Sequence, residues 1–308
     1  MNEHRLKANS TGLFAATFLV VFLFYLGLIR GQLISTDEIL CYEATRSIWM
    51  RGTADMVIGE GTHLAPGRHG LLYSAVNSGQ SFLCLPLFAT GRFVEAILFR
   101  VGALETTRNL TWPPLELELL FCSIFNVVIV ALTVTVFLAC NLRLGVRPKW
   151  ALASTVAFAF ASYPMGYAGT LFTQPIEALC TLWAFYFLLS DRYFPDSKSR
   201  WAAGLVMVVM LQCRFPSFLA FPALWLYHLW NVLARAKGTR ALRELLPMAI
   251  SLGLGLAIHA ADQYWKFDSL ANQAAYAEAD FDHPLWRGLV GFLLSPGDSV
   301  FLYTPLLI

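Results

Sequence analysis

From residue 11 to residue 30 the chain reads TGLFAATFLVVFLFYLGLIR, an apolar stretch long enough to cross a hydrocarbon layer of ~30 Å. Similar stretches follow at 115–140, 149–167, 171–190, 201–231 and 245–261, and another begins near residue 300. This succession restricts the chain to a polytopic helical protein, because only helices and closed barrels satisfy every backbone polar group in lipid. Composition agrees: 57% of residues are hydrophobic and 14% charged, against about 25% charged in soluble domains. The fold class expected is therefore all-α and transmembrane.

The stretch 201–231 is too long for one crossing at 1.5 Å per residue, and Pro216 and Pro222 divide it into a bent hairpin of two short spans. That gives about seven or eight spans in one transmembrane domain. Positive charge sets the orientation. Arg143, Arg147 and Lys149 mark one short loop, Arg192, Lys198 and Arg200 a second, and Arg235, Lys237, Arg240 and Arg243 a third. All three join Arg5 and Lys7 on the cytoplasmic side only if 31–114 is a single extracytoplasmic loop and 201–231 a hairpin. The second large outer loop is then 262–299. Segment 11–30 reads as an uncleaved signal anchor. The chain stops at Ile308 inside an apolar run, the pattern of a truncated protein.

The first loop carries local structure of its own. Ser35 and Glu38 have the spacing of a capping box, Leu40, Ala44 and Ile48 recur at helical spacing, and Gly52 is a stop signal. A short amphipathic helix lying on the membrane is expected there, and a second surface or re-entrant helix over 79–100. Of the six cysteines, Cys122, Cys140, Cys180 and Cys213 lie in apolar stretches and read as small core residues, while Cys41 and Cys84 are the one pair that could meet as a disulfide outside. A net charge of +2, with no basic block and no zinc-type spacing, excludes nucleic acid as a partner.

Three groups could carry chemistry. Thr36-Asp37-Glu38 sits where the first span leaves the membrane, and partial desolvation there would raise a carboxylate's basicity or let the pair hold a divalent metal such as Mg or Mn; the plainer reading is that both residues cap the surface helix. His63, Arg68, His69, Lys266 and Arg287 gather outside, and Arg214 joins them at the hairpin tip, where its partner is a lipid phosphate or a nearby backbone carbonyl. Leu294-Ser295-Pro296-Gly297-Asp298 is a turn before the last apolar run, and Asn109-Leu110-Thr111 is a glycosylation sequon.

In order along the chain, Thr36-Asp37-Glu38, Gly79-Gln80-Ser81 with Leu85-Pro86-Leu87, Thr170-Leu171-Phe172-Thr173-Gln174-Pro175, Cys213-Arg214-Phe215-Pro216 and Ser295-Pro296-Gly297 followed by Phe301-Leu302-Tyr303-Thr304-Pro305 resemble the C-type (GT-C) membrane glycosyltransferases. This superfamily includes protein O-mannosyltransferases and lipid A aminoarabinose transferases, and the likeness is to its uncharacterised bacterial branch. The resemblance implies a GT-C-like architecture in the bacterial inner membrane and transfer of a sugar, with inversion, from a polyprenyl-phosphate donor to an envelope acceptor on the extracytoplasmic face. Asp37 would match the catalytic carboxylate, with Glu38 beside it; Arg214, Arg68, His69 and Lys266 would hold the donor phosphate; Tyr73, Gln80 and Gln174 would stand near the acceptor or behind the first contacts. A phosphate leaving group needs no protonation, so one base and nearby cations suffice, unlike the paired carboxylates of a glycosidase. The chain departs from the family in Gln174, where Glu is usual, in Asp298, where Arg is usual, and in lacking a tail of further spans. The alternative is a non-catalytic membrane protein, either a transporter or an inactive scaffold of an envelope-assembly complex.

Overall fold

The computed structural model describes residues 3–29, 31–33, 35–56, 64–74, 77–102, 117–270 and 284–294. His63, the sequon at 109–111, the Ser295–Asp298 turn and the last apolar run lie outside the described residues. The helices are α1 (Glu3–Leu26), α2 (Thr36–Arg51), α3 (Gly79–Arg100), α4 (Leu117–Arg143), α5 (Pro148–Phe160), α6 (Tyr163–Tyr167), α7 (Gln174–Tyr193), α8 (Ser197–Cys213), α9 (Phe221–Arg235), α10 (Gly238–Phe267) and α11 (Leu285–Leu294). Four helical segments, Gly79–Arg100, Leu117–Arg143, Phe215–Arg235 and Gly238–Phe267, are long and apolar enough to cross a membrane. The chain is a multi-pass helical membrane protein.

The apolar stretches that fall within the described residues become helices, with informative differences. The hairpin forms as expected: α8 ends at Cys213 with Arg214 extended as its cap, a 3-10 turn spans Phe215–Ala220, and α9 returns. Pro216 cannot continue the α8 hydrogen-bond ladder, which makes the break. The stretch 149–167 is two pieces, α5 and α6, because Pro164 leaves the backbone at Ala161 and Ser162 out of helix. Segment 79–100 is one 22-residue helix of membrane length.

Packing runs α2–α3–α4–α7–α8–α10, with α1, α5 and α6 on α4. Lipid supplies no hydrophobic drive between helices, so close backbone approach at small residues matters. Gly204 of α8 shows it: a Cβ there would come within 2.3 Å of Ser251 Oγ on α10. The core inside this row includes Cys84, Cys122, Cys180, Cys213, Leu179, Leu188, Met207 and Met210. All six cysteines are buried free thiols, so the Cys41–Cys84 disulfide is not formed.

In the first loop the expected capping box is present. Ser35 N–H donates to Glu38 Oε2 at 3.0 Å, Glu38 N–H donates to Ser35 Oγ at 3.3 Å, and Gly52 ends α2 at φ 72°. The apolar stripe has a different partner from the one expected: Leu40 and Ala44 are buried with Met56 and Leu64. These last two belong to a sheet absent from the sequence reading, β1 (Asp55–Met56), β2 (Leu64–Pro66) and β3 (Leu72–Ser74), antiparallel in the order β1-β3-β2 with Asp55 and Ala65 both opposite Tyr73. A buried polar knot ties sheet to helix. Asp55 accepts from Ser47 at 3.0 Å, from Arg51 at 3.0 Å and from Thr53. Burial alone would raise the Asp55 carboxyl, but these hydrogen bonds and the Arg51 charge outweigh it and hold the group below its ordinary value.

At the opposite end of the bundle, where the turns α4–α5, α7–α8 and α9–α10 meet, a second knot crosses four helices. Arg200 Nε lies 3.2 Å from Asp191 and its Nη1 3.6 Å from Glu244; Arg235 pairs with Asp191 and, at 2.9 Å, with Glu244. Removing one partner of such a buried network costs about 3–5 kcal/mol, because a desolvated charge is left behind.

Candidate functional site

Two of the residues picked out by sequence, Glu38 and Gln80, meet at one short segment, Thr170–Gln174, which carries the chain from α6 into α7. Three buried side chains hold it. Glu38 Oε1 accepts from Leu171 N–H at 2.8 Å; Gln80 Nε2 donates to the Leu171 carbonyl at 2.9 Å and the Phe172 carbonyl at 3.3 Å; Asn126 Nδ2 donates to the Phe172 carbonyl at 2.8 Å. Glu38, Gln80 and Asn126 are respectively 3%, 1% and 0% exposed. The starts of α2 and α3 and the middle of α4 thus meet at one turn.

Glu38 is committed twice over. One carboxylate oxygen closes the capping box and the other binds Leu171, so its role is to pin the first turn of α2 against the segment. Asp37, its neighbour, is half-buried, and its negative charge lies favourably at the helix start. The divalent metal considered for Asp37 and Glu38 is corrected by this arrangement. Among the described residues no group of three or more His, Cys, Asp or Glu side chains could hold an ion, and the oxygens of Glu38 already face backbone N–H groups.

Beyond the clamped segment, Gln174 and Pro175 open α7, and Gln174 Oε1 is buried without a hydrogen-bond partner. One turn on, Glu177 Oε2 accepts from Arg214 Nη1 at 3.1 Å. Arg214, at the hairpin break, is 32% exposed and Glu177 28%, so the pair sits at a partly open rim. Its cation is matched by a carboxylate that sequence reading passed over, although an acid in the first turn of an apolar helix is a usable signal. Gln174, Tyr163, Tyr167 and Phe158 also line a small open cleft of about 110 Å³ between α4, α5, α6 and α7. The two tyrosine rings stack at 4.2 Å and their hydroxyls hydrogen-bond at 2.6 Å.

On the other side of Arg214, Gly79 packs on the Gln212 carbonyl, where a Cβ would come to 2.4 Å. Asn77 Nδ2 donates to the Leu211 carbonyl at 2.7 Å and lies 3.3 Å from His259 Nδ1. The His259 ring stacks on Phe215 at 4.3 Å. Polar residues inside apolar helices, such as Asn126 and His259, are the signal that could have found these members.

The remaining cations form a separate group under the sheet. Lys266, only 1% exposed, pairs with Asp262 at 2.8 Å, and its carbonyl lies against Gly67, where a Cβ would come within 2.3 Å. Arg68 pairs with Asp268 at 3.4 Å, both well exposed. His69 is exposed with φ 60°. Tyr73 is buried with its ring 5.9 Å from Phe267; burial, reinforced by the Asp55 charge, raises its phenol above the ordinary value. Arg287 stands apart on α11, its guanidinium over Trp286. The structure therefore brings Glu38, Gln80, Gln174 and Arg214 to one end of the bundle, while Lys266, Arg68 and Tyr73 tie the end of α10 to the sheet.

No family model, curated protein or solved structure matches the chain.

Proposed function

We propose that the chain is a membrane glycosyltransferase of GT-C type that moves a sugar from a polyprenyl-phosphate donor to an envelope acceptor on the extracytoplasmic face, with the N-terminus cytoplasmic and about seven or eight spans. The observation that supports the reading is the clamp on Thr170–Gln174. By fixing Leu171, Glu38 sets Asp37 at the same end of the bundle as the Arg214–Glu177 pair. Asp37 serves as the base that takes the acceptor hydroxyl proton while the sugar–phosphate bond breaks; Arg214 is the cation nearest the departing phosphate, with Gln174 behind it. Glu38 and Gln80 act by positioning. No metal is assigned.

The test uses membranes containing the full chain and a panel of radiolabelled polyprenyl-phosphate sugars, following release of the lipid phosphate. Asp37→Asn is expected to cut transfer by about 10²–10⁴-fold, the usual worth of a positioned base, while membrane insertion and the unfolding midpoint stay unchanged. Full transfer in that variant removes Asp37 from the mechanism. One observation favours the non-catalytic reading: Glu177 already neutralises Arg214. An inactive scaffold predicts no turnover from the parent chain with any donor of the panel.

A further inference from the structure

The fold sorts its charges at the end of the bundle remote from the clamped segment. The buried acids of that end, Asp191 at 1% side-chain exposure and Glu244 at 9%, are both covered by Arg200 and Arg235. Arg240, 75% exposed, also reaches Glu244 at 3.4 Å. What remains outside is strongly one-signed: Arg147, Lys149, Arg192, Lys198, Lys237 and Arg243 are exposed, and among the described residues of the three turns Asp196 is the exposed acid. Aromatic rings stand among these cations. Lys149 lies over Trp150 at 5.4 Å, and Arg143 over Tyr186 at 5.4 Å and Phe194 at 5.7 Å; Trp150, Tyr193 and Phe194 are each about half exposed or more, at 55%, 49% and 62%.

We propose that this rim is a docking surface for anionic phospholipid headgroups. The fold hides its two acids inside the bundle and leaves the cations outside, so the surface complements a phosphodiester layer. The interleaved Trp and Tyr belong where acyl chains give way to headgroups, a position in which their rings are enriched. The cations stand at the ends of apolar helices, so their nearest anions are the headgroups of the leaflet those helices enter. The assignment is independent of the sugar-transfer reading.

The test reconstitutes the full chain in phosphatidylcholine bilayers with a trace of spin-labelled phosphatidylglycerol or spin-labelled phosphatidylcholine, and reads the motionally restricted lipid by electron spin resonance. The expected result is a preference for phosphatidylglycerol of about fivefold or more, the factor one cation supplies near a membrane surface, shrinking at high salt. Combined Arg192→Gln, Lys198→Gln, Lys237→Gln and Arg243→Gln should abolish it with the unfolding midpoint unchanged. A charge-keeping variant, Arg192→Lys with Arg243→Lys, should retain it. Equal retention of the two lipids by the parent chain, or an undiminished preference in the neutralised variant, overturns the proposal. Displacement of the lipid by millimolar glycerol phosphate overturns the choice of a lipid source in favour of a soluble phosphate.

Discussion

Glu38 illustrates how one side chain can be read halfway from sequence. Its capping bond to Ser35 spans three residues and follows from spacing alone, whereas its bond to Leu171 crosses 133 positions and is visible only once the helices are assembled. The same division separates the other site residues. Pro216 announced a break at Arg214, but nothing local announces that Glu177 is its partner, since that pairing depends on the crossing of α7 and α8. The doubled role of Glu38 has a measurable consequence. Glu38→Gln turns one acceptor oxygen into an NH₂ facing a backbone N–H, and Glu38→Ala removes both acceptors. Each is expected to destabilise the protein by about 1–3 kcal/mol through an unsatisfied buried amide, read as a lower thermal unfolding midpoint in detergent. Asp37→Asn should leave that midpoint in place, because Asp37 is half-buried and is not part of the clamp. An unshifted midpoint in Glu38→Ala would mean that the clamp contributes nothing.

At the scale of elements, the helices longer than a few turns were readable because apolar length and turn chemistry act locally; α2 even shows its expected start and stop. The sheet was not readable. Its strands are two or three residues long, too short for alternation to register, and they exist because Met56 is buried against α2 and Tyr73 against the end of α10. The Asp55 knot makes the sheet sensitive to acid. Because folding lowers the Asp55 pKa, the unfolded segment binds the proton more tightly, so the stabilising contribution is complete well above the ordinary value of 3.8 and is lost as pH falls through the lowered folded value. Hydrogen exchange at residues 64–74, corrected for the intrinsic pH dependence, should therefore accelerate below about pH 4, while the helices beneath keep their protection. In Asp55→Asn the acid step should disappear and the segment should exchange faster at neutral pH. A step that survives the substitution assigns the acid sensitivity to another carboxylate.

At the scale of the whole molecule, the path of α3 bears directly on how many times the chain crosses the bilayer before α4. Gln80, at the start of α3, and Asn126, inside α4, bind the same Phe172 carbonyl. Further along α3, Gly91 packs on Glu118, where a Cβ would come within 2.6 Å of its Cα. From Asn126 back to Glu118 is about 12 Å of helix, and from Gln80 to Gly91 about 16 Å, so α3 climbs beside α4 in the opposite sense, toward the start of α4 and away from the Asp191–Arg235 knot. Its length and apolarity suit a crossing helix, yet this path keeps both of its ends on the side of Phe172 remote from the basic rim. Charge bias makes the same demand, since a crossing at 79–100 would send the Arg143–Lys149 turn outside. Cysteine labelling separates the alternatives cleanly, because all six native thiols are buried and contribute little background. With a membrane-impermeant maleimide and sealed spheroplasts, Arg68→Cys and Arg100→Cys, which flank α3, should both label from outside. Lys198→Cys, on the basic rim, should label only after permeabilisation. If Arg100→Cys behaves like Lys198→Cys while Arg68→Cys labels from outside, α3 crosses the bilayer and the single outer loop over 31–114 is wrong.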